Sequence, residues 1–185
     1  DYRISGVAHA EEDLWAGRHQ AAAGSILRMI PYIREAKPVA SDPLIERSLR
    51  VLAVATVRSG GALRVEREVP SEVLGTWAGV RDIDRAQNLA WSVAALRNVS
   101  TARPNDPSIQ TELGEALALV PAHHAEALAV LGKLAEKDLL ASPEAYAALA
   151  RLRGEKGDHD GRLAAMKRCE AMAKSAEICR DGYKG

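Results

Sequence analysis

The sequence predicts an all-α fold, a right-handed superhelical array of antiparallel helix hairpins, and three observations predict it. Hydrophobic residues make up 47% of the chain, yet aromatics reach only 4% and phenylalanine is absent, so Ala, Leu and Val must supply the core. Stretches rich in Ala, Leu, Glu and Arg favour helix, whereas sheets draw on aromatic and β-branched side chains. Asp42-Pro43, Asp106-Pro107 and Ser142-Pro143 then share one mechanism. The first residue accepts a hydrogen bond from an orphan amide, and the proline follows where φ is preset and no amide is needed. Finally, apolar positions recur at a fixed period. Leu113 and Leu149 are 149 − 113 = 36 residues apart, and Gly114 and Ala150 keep that offset. His124/His159, Leu128/Leu163 and Leu131/Met166 are each 35 apart. A two-helix unit of this length marks a solenoid, in which each pair covers the apolar flank of its neighbour.

The elements follow in order. Leu14, the turn Gly17-Arg18-His19 and Ala22 place helices near 2–15 and 18–30. Pro43 opens a helix that Ser59-Gly60-Gly61 ends, and a second segment is cut short by Pro70, so 43–69 is irregular and breaks the period. Pro70-Ser71-Glu72, Leu74-Gly75, the turn at Arg81–Asp82 and Ala86 place helices near 70–80 and 82–98. A hairpin follows over 107–140, and another over 143–176. In the latter, Tyr146, Leu149, Ala150 and Leu152 form one stripe, and Leu163, Met166, Cys169 and Ala173 form a second. Gly154-Glu155-Lys156-Gly157-Asp158 turns between them, with Asp158 and Asp160 where a helix N-terminus favours negative charge. Residues 177–185 read as a tail, and the whole as a single helical-repeat domain.

These hairpins resemble the tetratricopeptide repeat family, a TPR-like α-solenoid. Its pattern carries a bulky residue and then Leu-Gly or Leu-Ala in the first helix. Gly-Asp and an aromatic residue open the second, where an alanine and a bulky apolar residue follow. The last unit matches at Tyr146, Leu149, Ala150, Gly157-Asp158, Met166 and Cys169, with His159 in the aromatic place. Its predecessor matches at Leu113-Gly114, Ala127 and Leu131, with Pro121 where the turn glycine is usual. Arg162 stands where the family has a small alanine. The likeness is closest over 107–176 and looser over 70–98 and 2–30.

Charge and motifs bound the chemistry. Twenty-five basic residues balance 25 acidic ones, so no long-range field draws nucleic acid or anionic lipid. The longest apolar runs, such as Val51–Val57, are far short of a membrane span. Asp1-Tyr2-Arg3 reads as helix rather than as a secretory leader. Phosphate-cradling and dinucleotide loops are absent, as is a nucleophile elbow, and no cofactor or enzymatic activity is expected. Adjacent residues on a helix diverge by about 100°, so His123-His124 do not chelate one ion, and no metal site is expected. Arg64–Glu68 alternates charge as a solvated face does. Trp15, Trp77 and Trp91 are expected in the core, since they must replace the missing phenylalanines.

Cys169 and Cys179 leave two readings open. In an unbroken helix a rise of about 1.5 Å per residue keeps them roughly 15 Å apart. A disulfide therefore needs a break near Lys174-Ser175 and a tail that folds back, and it implies an oxidising compartment. Otherwise they are two separate thiols.

By resemblance, the function is a non-enzymatic protein–protein interaction scaffold that binds a peptide segment or partner domain on the concave surface of its first helices. The ligand-facing places fall at Glu72 and Thr76, at Ser108, Thr111 and Glu115, and at Glu144, Ala147 and Arg151. A different class of reading is a sensor holding a small ligand or peptide between helices, lined by Met166, Trp91 and Trp77. Abundant Arg and Ala suggest a bacterial source, and the possible disulfide suggests the periplasm or cell envelope, with the cytoplasm as the alternative.

Overall fold

A computed structural model describes residues 2–35, 43–64, 77 and 84–181. Among the described residues the chain is all-α, with α1 (Tyr2–Trp15), α2 (His19–Glu35), α3 (Pro43–Arg58), α4 (Arg85–Ala102), α5 (Pro107–Ala118), α6 (His124–Glu136), α7 (Pro143–Glu155), α8 (His159–Met172) and α9 (Ala176–Asp181). Contacts divide it into two units, Asp1–Ala95 and Leu96–Lys184.

In the first unit α1 and α2 form a hairpin across Gly17, and α3 packs on both helices. Its core joins Val7, Ala10 and Leu14 to Ala22, Ala23, Ile26 and Leu27, and to the uninterrupted buried run Val51–Val57 of α3. A helix apolar on every side is a core helix, which is what that run supplies. A fork-on-fork ion pair ties α3 to α1. Arg47 donates from Nε and Nη2 to the two oxygens of Glu11 at 2.8 and 2.7 Å. The α2 helix extends to Glu35 rather than ending near residue 30, passing through exposed Pro31. Proline removes one amide from the ladder, yet buried Met29 and Ile30 on the preceding turn keep the helix packed.

Residues 65–76 and 78–83 lie outside the described residues, and the expectation of a helix near 70–80 falls on them. The next helix runs Arg85–Ala102, not 82–98. Asp84 sets its start, accepting from the Gln87 amide at 3.0 Å, the bond an N-cap carboxylate makes.

The second unit holds the two hairpins expected over 107–140 and 143–176. Asp106 caps α5, accepting from the amides of Ser108 at 2.9 Å and Ile109 at 3.3 Å. Ser142 caps α7 through the Ala145 amide at 3.2 Å, and Asp158 caps α8 through Gly161 at 2.8 Å. Pro121 opens a 3-10 turn, Pro121–His123, in place of the glycine turn. Helix α7 packs on both α5 and α6, as α3 packs on α1 and α2. Arg162 is accommodated without its alanine because the small residue sits opposite, and a methyl on Gly154 would lie 3.1 Å from Arg162 Cδ.

Four packing expectations are corrected. Leu163 is 63% exposed, and Ala165 and Cys169 carry the buried seam of α8. His159 is exposed, and half-buried His124 sets Nδ1 3.1 Å from Glu155 Oε2 rather than packing as an aromatic. Trp15 is 57% exposed, whereas Trp77 is buried and donates from Nε1 to Thr56 Oγ1 at 3.3 Å. Lastly, residues 177–181 of the expected tail are helical. The α8 helix stops at Met172, Ala173 turns out of it at ψ 134°, and α9 folds back.

Candidate functional site

The first helices of the last two hairpins carry the expected ligand-facing line, and burial sorts its members. Thr111 and Glu115 are each 1% exposed, and Ala147 is buried, so these three do not face solvent. The reason is that α5 is buried from Thr111 through Ala118 and has no outward polar face there. Thr111 is also engaged within the unit. Its Oγ1 donates to the Pro107 carbonyl at 2.7 Å and accepts from the Ala141 amide at 3.3 Å. Ser108 and Glu144 are half-buried at the first turns of α5 and α7, and Arg151 is exposed. Arg151 donates to Glu155 at 3.0 Å and to the carbonyl of Ala118, which fastens α7 to the end of α5. Glu72 and Thr76 lie outside the described residues.

A polar cluster that the sequence reading missed joins the α6–α7 linker to the last hairpin. Asp138 has φ 55°, a left-handed conformation in a non-glycine residue. It ends α6 by the pairing that closes many helices, with Asp138 N–H on Ala135 O and Leu139 N–H on Leu134 O. Its Oδ1 accepts from the Tyr146 hydroxyl at 3.2 Å and from the Arg168 guanidinium, which stands 5.7 Å from the Tyr146 ring centroid. The Tyr146 and Asp138 hydrogen bonds raise the Arg168 pKa. No local pattern announced the cluster, because the partners of Asp138 come from two other elements. The cluster joins the linker to both helices of the last hairpin.

A second fork-on-fork pair links α4 to α6, where Arg97 donates to the two Glu126 oxygens at 2.6 and 2.7 Å. Those hydrogen bonds hold the Glu126 carboxyl below its ordinary value near 4.5, with charge attraction from Arg97 and His123 adding to them. A depressed folded-state pKa gives stability that is present above the unfolded value and lost as pH falls through the folded one. Both side chains are 41% exposed, so the effect is screened to about 0.2–1 kcal/mol. Arg97→Met is expected to lower urea stability by that amount at neutral pH, and the gap from wild type is expected to close as pH drops below 4.5.

Between α1 and α2 lies an open groove of about 580 Å³, lined among others by Gly6, His9, Glu12, Arg28 and Met29. His9 and Glu12 are 65% and 75% exposed, and Arg28 donates to Ser25 Oγ at 3.0 Å. Trp77, Trp91 and Met166, the residues expected to line a pocket, are not among its lining residues. Among the described residues, no group of three or more His, Cys, Asp or Glu is placed to hold a metal ion, and no helix is long and apolar enough to cross a membrane.

No family model, curated protein or solved structure matches the chain. The tetratricopeptide likeness therefore rests on the spacing and residues of this sequence.

Proposed function

We propose that the chain is a non-enzymatic interaction scaffold, a degenerate tetratricopeptide-like array that grips a peptide segment or partner domain along its first helices. One observation carries this reading. In each unit a first helix packs on both members of the preceding hairpin, α3 on α1 and α2, and α7 on α5 and α6. Repeated, that order yields an extended binding surface rather than an enclosed cleft. The residues left to face a partner are Ser108, Glu144 and Arg151, with Glu72 and Thr76 the corresponding places of the unit at 70–98. A bacterial periplasm or envelope suits the Cys169–Cys179 bond, since disulfides persist in oxidising compartments.

Cross-linking in native extract, followed by binding measurements with the purified partner, tests the reading. Ser108→Trp and Glu144→Gln are expected to weaken the same partner by about tenfold each, with the melting temperature nearly unchanged. Equal affinity for both variants and wild type would remove the first-helix surface from the interaction.

The open groove between α1 and α2 favours a second reading, a sensor that holds a small ligand or peptide between helices. A large thermal shift with a metabolite, diminished by Arg28→Gln, would select it over the scaffold.

A further inference from the structure

Cys169 and Cys179 are bonded, with Cα atoms 5.9 Å apart, and the bond holds α9 against α7 and α8. The place α9 takes is informative. It packs on both helices of the last hairpin, as α7 packs on α5 and α6 and α3 on α1 and α2. A six-residue stub thus stands where the first helix of a further hairpin would stand.

Among the described residues, little else holds the stub there. Cys179 is 5% exposed and Ile178 half-buried, while Ala176, Glu177 and Arg180 face solvent. Fixing six backbones costs more than one buried cysteine and one half-buried isoleucine return, and a helix well under about 12 residues does not persist alone. Docking of α9 is therefore conditional on the covalent bond. The α8 helix, by contrast, keeps buried Ala165 and its Asp158 cap, neither of which the bond supplies.

We propose that Cys169–Cys179 is a thiol-controlled latch. Oxidised, it keeps α9 over the groove between α7 and α8; reduced, it lets α9 leave while the hairpins stay folded. The reductant is a dithiol. Cys169 is fully buried and Cys179 nearly so, so attack follows fraying of the stub. A dithiol thiolate attacks Cys179 Sγ, the protein S–S bond breaks, and Cys169 leaves as a thiolate that takes a proton. The second thiolate of the reductant then attacks the mixed disulfide and releases Cys179, which is protonated in turn. Two electrons pass to the protein, and the reductant departs as a cyclic disulfide.

Hydrogen exchange on the whole chain tests the latch, comparing the oxidised form, the form treated with dithiothreitol and Cys179→Ser. Closing a loop of this length predicts that α9 amides exchange on the order of a hundredfold faster without the bond, in both altered forms. Amides of α5 and α6 are expected to keep their protection. Equal protection of α9 in Cys179→Ser would show that packing alone holds it, and the proposal fails. It fails also if exchange rises throughout α5–α8, or if thiol labelling shows that dithiothreitol opens the bond only in denaturant, since the bond would then be a staple of the whole unit.

Discussion

Gly61→Ala is expected to destabilise the Asp1–Ala95 unit by about 2–5 kcal/mol, the joint effect of roughly 1–2 for a left-handed backbone and 1–3 for overpacking. Gly61 has φ 78°, and a methyl there would stand 2.7 Å from the Arg85 carbonyl oxygen and 3.1 Å from Leu89 Cγ. The nearest obstacle is backbone, which cannot rotate aside as a side chain can. Nor can the turn retreat freely. Fully buried Asn88 donates from Nδ2 to the Gly61 carbonyl at 3.1 Å, and moving the turn leaves that amide unsatisfied, at a further cost of about 1–3 kcal/mol. Gly17 provides the comparison. It has the same φ of 78°, but a methyl there meets nothing within 4 Å. Gly17→Ala is expected to cost only the backbone component, about 1–2 kcal/mol. Urea unfolding of the two variants reads the difference. Equal midpoints would show that close approach of the turn to α4 contributes nothing.

What the sequence disclosed was local chemistry and period. Asp106 and Ser142 cap the helices that their prolines open, because an N-cap needs only a side chain and the next three amides. The hairpin offsets of 36 and 35 reappear in the helix starts, Pro107 to Pro143 and His124 to His159. What stayed hidden depends on which neighbour arrives. Two aspartates, Asp82 and Asp84, precede α4, and the buried Asn88–Gly61 bond helps fix the register that makes Asp84 the cap. Leu163 and Ala165 both fit a helical stripe, and only the position of α7 decides that Ala165 is buried. Thr111 and Glu115 look outward because they are polar, yet α5 is enclosed on that side as well. The α9 helix was illegible for another reason, since six residues carry too little propensity to declare a helix that a covalent bond holds in place.

Leu131→Ala is expected to cost about 2–5 kcal/mol, the range for emptying a fully buried leucine site. Leu131 is 0% exposed and presses on the helix opposite, where a methyl on Gly114 would lie 2.4 Å from its Cδ2 and 2.8 Å from its Cγ. The two positions should therefore couple. In wild type, Gly114→Ala gains about 1 kcal/mol of helix propensity and loses about 1–3 to overpacking. In the Leu131→Ala background the obstructing branch is gone, so the same substitution should stabilise. A coupling of about 0.5–3 kcal/mol is expected from the double-mutant cycle, while exposed Leu163→Ala should stay within about 0.5. Additivity of the two substitutions would mean that α5 and α6 do not meet through this pair. The equivalent places in the last hairpin are Ala150 and Met166, a larger residue facing a more adaptable one. An unbranched thioether can bend around a methyl that a leucine branch would strike. The paired change from Gly/Leu to Ala/Met is the exchange expected if the two helices within each hairpin are packed on one plan.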